Sequence, residues 1–297
     1  MKKILTYSII FLNLSCFRLD SFLFDPEKIT SYQLDNYTGH VQFKLDSTYA
    51  IDPALISIFT MNSSDANGKT VPIYAIYIGD QARIPLDKVI LYCEGNSHHM
   101  DYYWQRGKLL ANLGPAKNTY GVMMFDYQGY GMSGGKPSES NLYRDTDAAL
   151  GWLKSKGLTN NRLIMYGYSM GSAPATNLTA NARSMQPGLL ILESPFASAA
   201  IMAQDGSGLD LPGSYFTNLQ IDNGAEIKKV TEPFLWMHGK IDDFVNIGQG
   251  EIVYVNYGGA IKKAVRVDGA GHSDVPKVMG YDTYLSSIHS FIQTNLP

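Results

Sequence analysis

Two windows of this 297-residue chain set a serine between glycines, Gly131-Met132-Ser133-Gly134-Gly135 and Gly167-Tyr168-Ser169-Met170-Gly171. A serine hydroxyl becomes a nucleophile when a neighbouring base takes its proton and a carboxylate holds that base in the right tautomer. Candidates for both partners follow downstream. Asp242 and Asp243 stand in His238-Gly239-Lys240-Ile241-Asp242-Asp243-Phe244-Val245, just after an apolar run, and Glu193 ends an earlier run as a third carboxylate. His272 lies in Asp268-Gly269-Ala270-Gly271-His272-Ser273-Asp274, where small neighbours let an imidazole approach a hydroxyl. The rival His238 closes an apolar run and reads as a structural hydrogen-bonding histidine. Serine, acid and histidine in this order could carry acyl transfer, the hydrolysis of an ester, thioester or amide.

The elements around these residues separate the two serines. Ser133 is followed by Gly134, Gly135, Lys136 and Pro137, which favour a loop. Ser169 follows an apolar run at 162–168 and precedes a plausible helix, the strand-turn-helix context that a strained nucleophile turn needs. Pro174 falls inside that helix, and the sequence gives no account of it. Nearly continuous apolar runs at 88–93, 121–126, 162–168, 188–192 and 234–238, with a sixth at 264–267, have the character of strands buried on both faces of a parallel sheet. Three earlier alternating segments, 40–45, 55–61 and 71–78, predict antiparallel strands, with a turn at Ser64-Asp65-Ala66-Asn67-Gly68. Helical spacing at 141–156 and a closing helix over 277–296 complete an α/β pattern with ligands expected at the carboxyl ends of its strands. An oxyanion hole there would take the Met170 amide, next after the serine, and the Asn96 amide, from the turn after the 88–93 strand.

With these motifs the chain resembles an α/β-hydrolase with a short cap, similar to the serine aminopeptidase-like and abhydrolase-domain groups, over residues 34–296. Two further windows fit that resemblance: Asp126-Tyr127-Gln128-Gly129-Tyr130-Gly131-Met132-Ser133 matches the structural loop D-x-x-G-x-G-x-S, and His238 to Val245 matches H-G-x-x-D-x-x-V, which favours Asp242 over Asp243. The resemblance implies a mostly parallel central sheet with N-terminal antiparallel strands, helices on both faces and a small cap insertion at 196–232. It also implies a serine hydrolase working through an acyl-enzyme, with Ser169 as nucleophile, His272 as base and Asp242 as orienting acid. That chemistry needs no cofactor and takes a small-molecule acyl substrate, an ester or thioester ahead of a peptide. Phe196, Tyr215 and Phe216 are expected around an acyl pocket. One departure stands out: Glu94 occupies the position of the usual histidine before Gly95, and its expected partner is His98, His99 or Arg106. The competing reading is a non-catalytic ligand-binding or interaction lipoprotein that keeps the fold.

Lys2 and Lys3 before an apolar run at 4–14, then Ser15 and Cys16, have the form of a secretory signal over residues 1–16, followed by a linker at 17–33. The cysteine resembles that of a bacterial lipobox, although Asn13 stands where leucine is usual. Cys16 is therefore the candidate lipidation site, and the expected location is the cell envelope, exported and anchored to a bacterial membrane by lipid. Composition narrows the other classes. With 45% hydrophobic and 17% charged residues the chain is globular, and Lys+Arg 24 against Asp+Glu 27 leaves a net charge of −3, which does not suit a nucleic-acid binder. Two cysteines make no disulfide framework, and the Cys/His spacings of zinc sites are absent. His98, His99 and Asp101 read as a polar rim around the site.

Overall fold

The apolar runs become the interior of one eight-stranded sheet. In the computed structural model, which describes residues 20–114, 119–209 and 211–296, the strands are β1 (Ile56–Ser64), β2 (Thr70–Ile78), β3 (Lys88–Cys93), β4 (Tyr120–Phe125), β5 (Leu163–Tyr168), β6 (Leu189–Glu193), β7 (Phe234–Gly239) and β8 (Lys262–Val267). They lie in the order β1-β2-β4-β3-β5-β6-β7-β8. β2 runs antiparallel to both of its neighbours, and every pair from β4 to β8 is parallel. Strands β4, β5, β6 and β7 are buried along their whole length. That is why they carry no alternating polar positions.

Residues 40–45, expected as a strand, form none. Their groups find partners on a helix: the Leu45 amide donates to Gln105 Oε1 at 3.1 Å, and Phe43 is buried against the Arg106 guanidinium. Alternation suggests a half-buried segment, but pairing needs a free strand edge, and here a helix side chain takes the amide instead.

Helices cover both faces. α1 (Met100–Ala111) contributes Trp104, Leu109 and Leu110 to one apolar cluster, together with Tyr284, Leu285, Ile288, Phe291 and Ile292 of the last helix. On the other face lie α2 (Glu139–Ser155), with Leu142, Ala149, Leu150 and Leu153, and α3 (Ser172–Ala180), with Ala175 and Leu178. Pro174 sits third in α3. The first four amides of a helix have no intrahelical acceptor, so a proline there removes nothing. The insertion after β6 holds α4 (Ala199–Ser207) and the short α5 (Asn223–Glu226), and α6 (Ile247–Asn256) follows β7. The expected closing helix is split by Gly280, at φ 82°, into α7 (Val275–Met279) and α8 (Tyr281–Asn295).

The predicted signal segment and Cys16 lie outside the described residues. The stretch expected as a linker is described from Asp20, and there it lies on the domain: Asp25–Pro26 pairs in parallel with Ser97–His98. Its tether to the domain comes from backbone pairing and scattered side chains, which leave no periodic pattern in a sequence. Among the described residues no helix is long and apolar enough to cross a membrane.

Candidate active site

At the carboxyl end of β5 the chain turns sharply into α3, and Ser169 stands on the turn with φ 51°, a backbone region that side chains other than glycine occupy at a cost. Gly171 permits the turn, because a Cβ there would lie 2.1 Å from the Cys93 carbonyl oxygen. Ser169 Oγ lies 2.9 Å from His272 Nε2, and His272 Nδ1 lies 2.8 Å from Asp242 Oδ2. The loops of β7 and β8 bring the histidine and the acid together. Gly239 makes this approach feasible, since a Cβ on it would meet the Ala270 oxygen at 2.2 Å.

Asp242 is buried, and both of its oxygens are occupied. Oδ1 accepts the amides of Phe244 at 3.0 Å and Val245 at 2.8 Å, while Oδ2 faces His272 and, at 3.1 Å, His238 Nε2. Burial pushes its carboxyl up. The hydrogen bonds from His238, His272 and the Val245 amide, with the attraction of a charged His272, outweigh that and hold Asp242 well below the ordinary carboxylate range. An ionised Asp242 only accepts, so His272 carries its proton on Nδ1 and presents a bare Nε2 to the serine. His238 is settled in the same way: the Trp236 indole donates to its Nδ1 at 3.3 Å, and its Nε2 donates to the Val245 carbonyl at 2.9 Å. It is a brace for the acid, and the sequence singled it out only as a structural histidine.

The other candidates fall into different places. Asp243 is exposed and borders a cavity. Glu193 is buried in an ion pair, its Oε1 2.8 Å from Arg106 Nη1 and its Oε2 accepting from Tyr166 at 2.5 Å and Tyr284 at 2.8 Å. Ser133 Oγ donates to the Asp126 carbonyl at 2.7 Å and accepts the Tyr74 amide at 2.9 Å, so it closes a loop. His98 pairs with Glu27 at 2.9 Å, and Asp101 takes the backbone amides of Gln33 and Leu34.

Arg106, named in the sequence only as a possible partner of Glu94, has a role that sequence reasoning missed. From α1 its Nη2 donates to the Ser273 carbonyl at 3.1 Å, and its guanidinium lies 4.0 Å from the centre of the Tyr168 ring. It therefore grips the residue after His272 and the residue before Ser169 at once.

Glu94 meets none of the three expected partners. Parallel pairing of β3 with β4 sets Tyr92 opposite Met124, so two residues further on Glu94 comes beside Asp126, and the two buried carboxyls shift each other. Burial, then the Asp126 charge, pushes Glu94 well up, and burial pushes Asp126 up to about 7 even though Tyr32 donates to it at 2.5 Å. The folded protein thus keeps protons that an unfolded chain releases near pH 4, and this contribution to stability is lost as pH rises toward 7. Glu94→Gln keeps the shape and a donor without titrating. Its stability relative to the wild type is expected to rise by up to about 1.4 kcal/mol per pH unit above the carboxyl range, read by urea unfolding between pH 5 and 8. A difference that does not change with pH would refute the protonated pair.

Ser169 opens into a cavity of ≈ 1430 Å³ between the sheet edge and the insertion. Asn96 and Met170 line it, as do Leu23, Met202, Ala203, Leu219, Phe244 and Ile252. The aromatic residues expected to line it do not: Phe196 is buried with Ala173, Ile221 and Val245, and Tyr215 points outward, 63% exposed. Polar side chains share the wall, with the carboxylates of Asp25, Asp205 and Asp243 among them, and among the described residues none with a positive charge stands in it.

Comparison with known proteins agrees with this fold. A family model described as serine aminopeptidase, S33, matches residues 85–232. Alpha/beta hydrolase domain-containing protein 17C of Xenopus tropicalis is 32% identical over 209 residues, 70% of this chain and 62% of its own length. The 17B protein of Xenopus laevis is 31% identical over 208 residues, 70% of this chain and 67% of that one. The chain thus spans less than two thirds of the first of these relatives. Among solved structures, the Pyrococcus furiosus esterase Pf2001 superposes with a TM-score of 0.66 at 15% identity, covering 93% of this chain and 98% of that one. The Butyrivibrio proteoclasticus esterase Est1E, solved with ferulic acid, gives 0.62 at 17% identity, covering 80% and 98%. At those identities the likeness is one of fold.

Proposed function

The chain belongs to the α/β-hydrolase superfamily, and from that premise we propose that it is a serine hydrolase that cleaves a carboxylic ester or thioester, and less readily an amide, through an acyl-enzyme. One observation carries the reading: Ser169 Oγ, His272 and Asp242 form an unbroken hydrogen-bonded line at 2.9 and 2.8 Å, opening on a cavity with apolar side chains in its wall. His272 Nε2 takes the hydroxyl proton as Ser169 Oγ attacks the carbonyl carbon, and passes it to the leaving group as the acyl-enzyme forms. A water molecule then attacks the acyl carbon, giving its proton to the same nitrogen, and Ser169 is restored. The amides of Met170 and Asn96 are the proposed donors to the oxyanion of both tetrahedral intermediates. Apolar side chains such as Leu23, Met202, Leu219 and Ile252 favour an acyl group of several carbons, and the carboxylates of Asp25, Asp205 and Asp243 disfavour an anionic one.

The acid is tested within the chain. Asp242→Asn presents a donor where His272 Nδ1 needs an acceptor, and kcat is expected to fall by about 10⁴-fold. Asp243→Asn, at an exposed side chain, is expected to stay within a few-fold of the wild type on the same p-nitrophenyl esters. The reverse ranking would move the orienting role by one residue. Substrate class is read by comparing ester, thioester and aminoacyl-amide probes that share one acyl group, with hydrolysis by Ser169→Ala subtracted. We further propose export to the cell envelope and lipid anchoring at Cys16, on the strength of the segment Lys2 to Cys16. Mass spectrometry of the mature N-terminus tests this, and an unmodified Cys16 would refute it.

A further inference from the structure

The segment ahead of the domain touches the insertion, the turn after β3, the loop after β4 and the start of α1. Asp20 Oδ1 accepts from the Thr217 hydroxyl at 2.5 Å and the Asn218 amide at 2.9 Å, both in the insertion that roofs the cavity. Leu23 lines the cavity beside Ser169 and Met170. The Asp25 amide donates to the Asn96 carbonyl at 2.9 Å, which the Tyr130 hydroxyl also meets at 2.8 Å. Lys28 Nζ reaches the Ser133 carbonyl at 2.5 Å, and Tyr32 caps Asp126. The strap ends where the Gln33 and Leu34 amides fall on the Asp101 carboxylate at the start of α1. A free tail has no reason to satisfy groups on the roof, the turn after β3, the loop after β4 and α1 in turn, because ordering each residue costs about 1–2 kcal/mol of backbone entropy. The strap residues that make these contacts lie outside residues 85–232, the span of the family match, while their partners lie within it.

We propose that residues 20–34 are a working strap of the active site: the Asp25 amide positions the turn that carries the Asn96 donor, and Leu23 forms part of the wall that selects the acyl chain. This rests on the reading of Ser169 as nucleophile and of the Asn96 amide as oxyanion donor. An oxyanion donor acts only if it is already aimed at the place where charge develops, and losing one costs about 10²- to 10³-fold in kcat. The strap holds Asn96 by its carbonyl, so Asp25, which also borders the cavity, is a positioning residue. Slackening it costs a part of that factor, on kcat more than on KM. Leu23 acts differently, since a side chain in the wall changes the room left for a long acyl chain and leaves an acetyl group little affected.

The test uses the full chain and three variants. Asp25→Pro removes the donating amide at a position already followed by Pro26, and Asp25→Ala removes the side chain while keeping the amide. With a p-nitrophenyl ester, Asp25→Pro is expected to lose about tenfold in kcat, at least threefold more than Asp25→Ala, with KM nearly constant and no matching fall in thermal midpoint. Equal kcat in the two variants, or a loss that follows the thermal midpoint, would overturn the positioning role. Leu23→Trp is expected to lower the ratio of kcat/KM for a dodecanoyl ester to that for an acetyl ester by about tenfold, and an unchanged ratio would overturn the wall. Fluorophosphonate labelling of the wild type separates the two levels of failure. A labelled wild type with indifferent strap variants refutes the strap alone, whereas an unlabelled wild type removes the hydrolase reading and the strap's role with it.

Discussion

Replacing Ser169 by alanine is expected to reduce kcat by about 10⁵-fold while the protein stays folded. The size follows from the way a triad works, since base and acid have nothing to activate once the hydroxyl is gone, and only binding and oxyanion stabilisation remain. Retention of the fold follows from the surroundings. The hydroxyl's side-chain partner is His272, which keeps its contact with Asp242 when the serine is lost. The positive φ of residue 169 is imposed by β5, α3 and the close packing of Gly171, so alanine inherits the same turn. A variant with unchanged hydrolysis would move the nucleophile elsewhere, and Ser133 is a poor alternative because its Oγ is committed to two backbone partners.

The second large effect is on stability. Arg106→Met is expected to cost about 3–5 kcal/mol, because it strands the Glu193 carboxylate in a site where neither partner is more than 3% exposed. Tyr166 and Tyr284 still donate to Glu193, but two neutral hydroxyls do not replace a guanidinium. At this chain length the loss corresponds to a fall of about 10 °C in the unfolding midpoint. Arg106→Met combined with Glu193→Leu removes both charges and is expected to recover most of the loss, since an apolar pair of similar volume is often as stable as a buried ion pair. Urea unfolding of the two single variants and the double variant measures the coupling, and additive losses would show that the pair is not the source. The double variant still lacks the grip on the Ser273 carbonyl. Its kcat is therefore expected to remain reduced where its stability is restored, which separates the clamp on the histidine loop from the ion pair that anchors it.

The sequence was informative wherever function demands a side chain of one type at a fixed strand end. Ser169, Asp242 and His272 each follow an apolar run, and the register of a parallel sheet gathers such ends at one edge, where the structure brings the three side chains into contact. The same runs mark the strands of the α/β fold, and their burial on both faces explains the missing alternation. What remained hidden depends on pairings without a spacing rule. Arg106 and Glu193 are 87 positions apart and meet because an arginine of α1 reaches the carboxylate that ends β6. Glu94 suggested a cationic partner on grounds of charge, yet strand register set it beside Asp126, where burial and the neighbouring carboxylate push its carboxyl well up and favour the neutral form. The strap left no signal because its key contact uses a backbone amide, which every residue but proline possesses. The segment 40–45 misled in the opposite direction, alternating like a strand while its amide went to Gln105.

Fluorophosphonate labelling of the purified protein, with the adduct mapped by peptide mass, tests the central claim most directly, because the probe reacts with a serine only where a base and an oxyanion hole activate it. A single adduct on the peptide containing Ser169, absent from Ser169→Ala, is the result expected here. A folded wild type that takes no label, or takes it on another serine, would contradict the proposed triad and favour a binding protein that keeps the hydrolase fold.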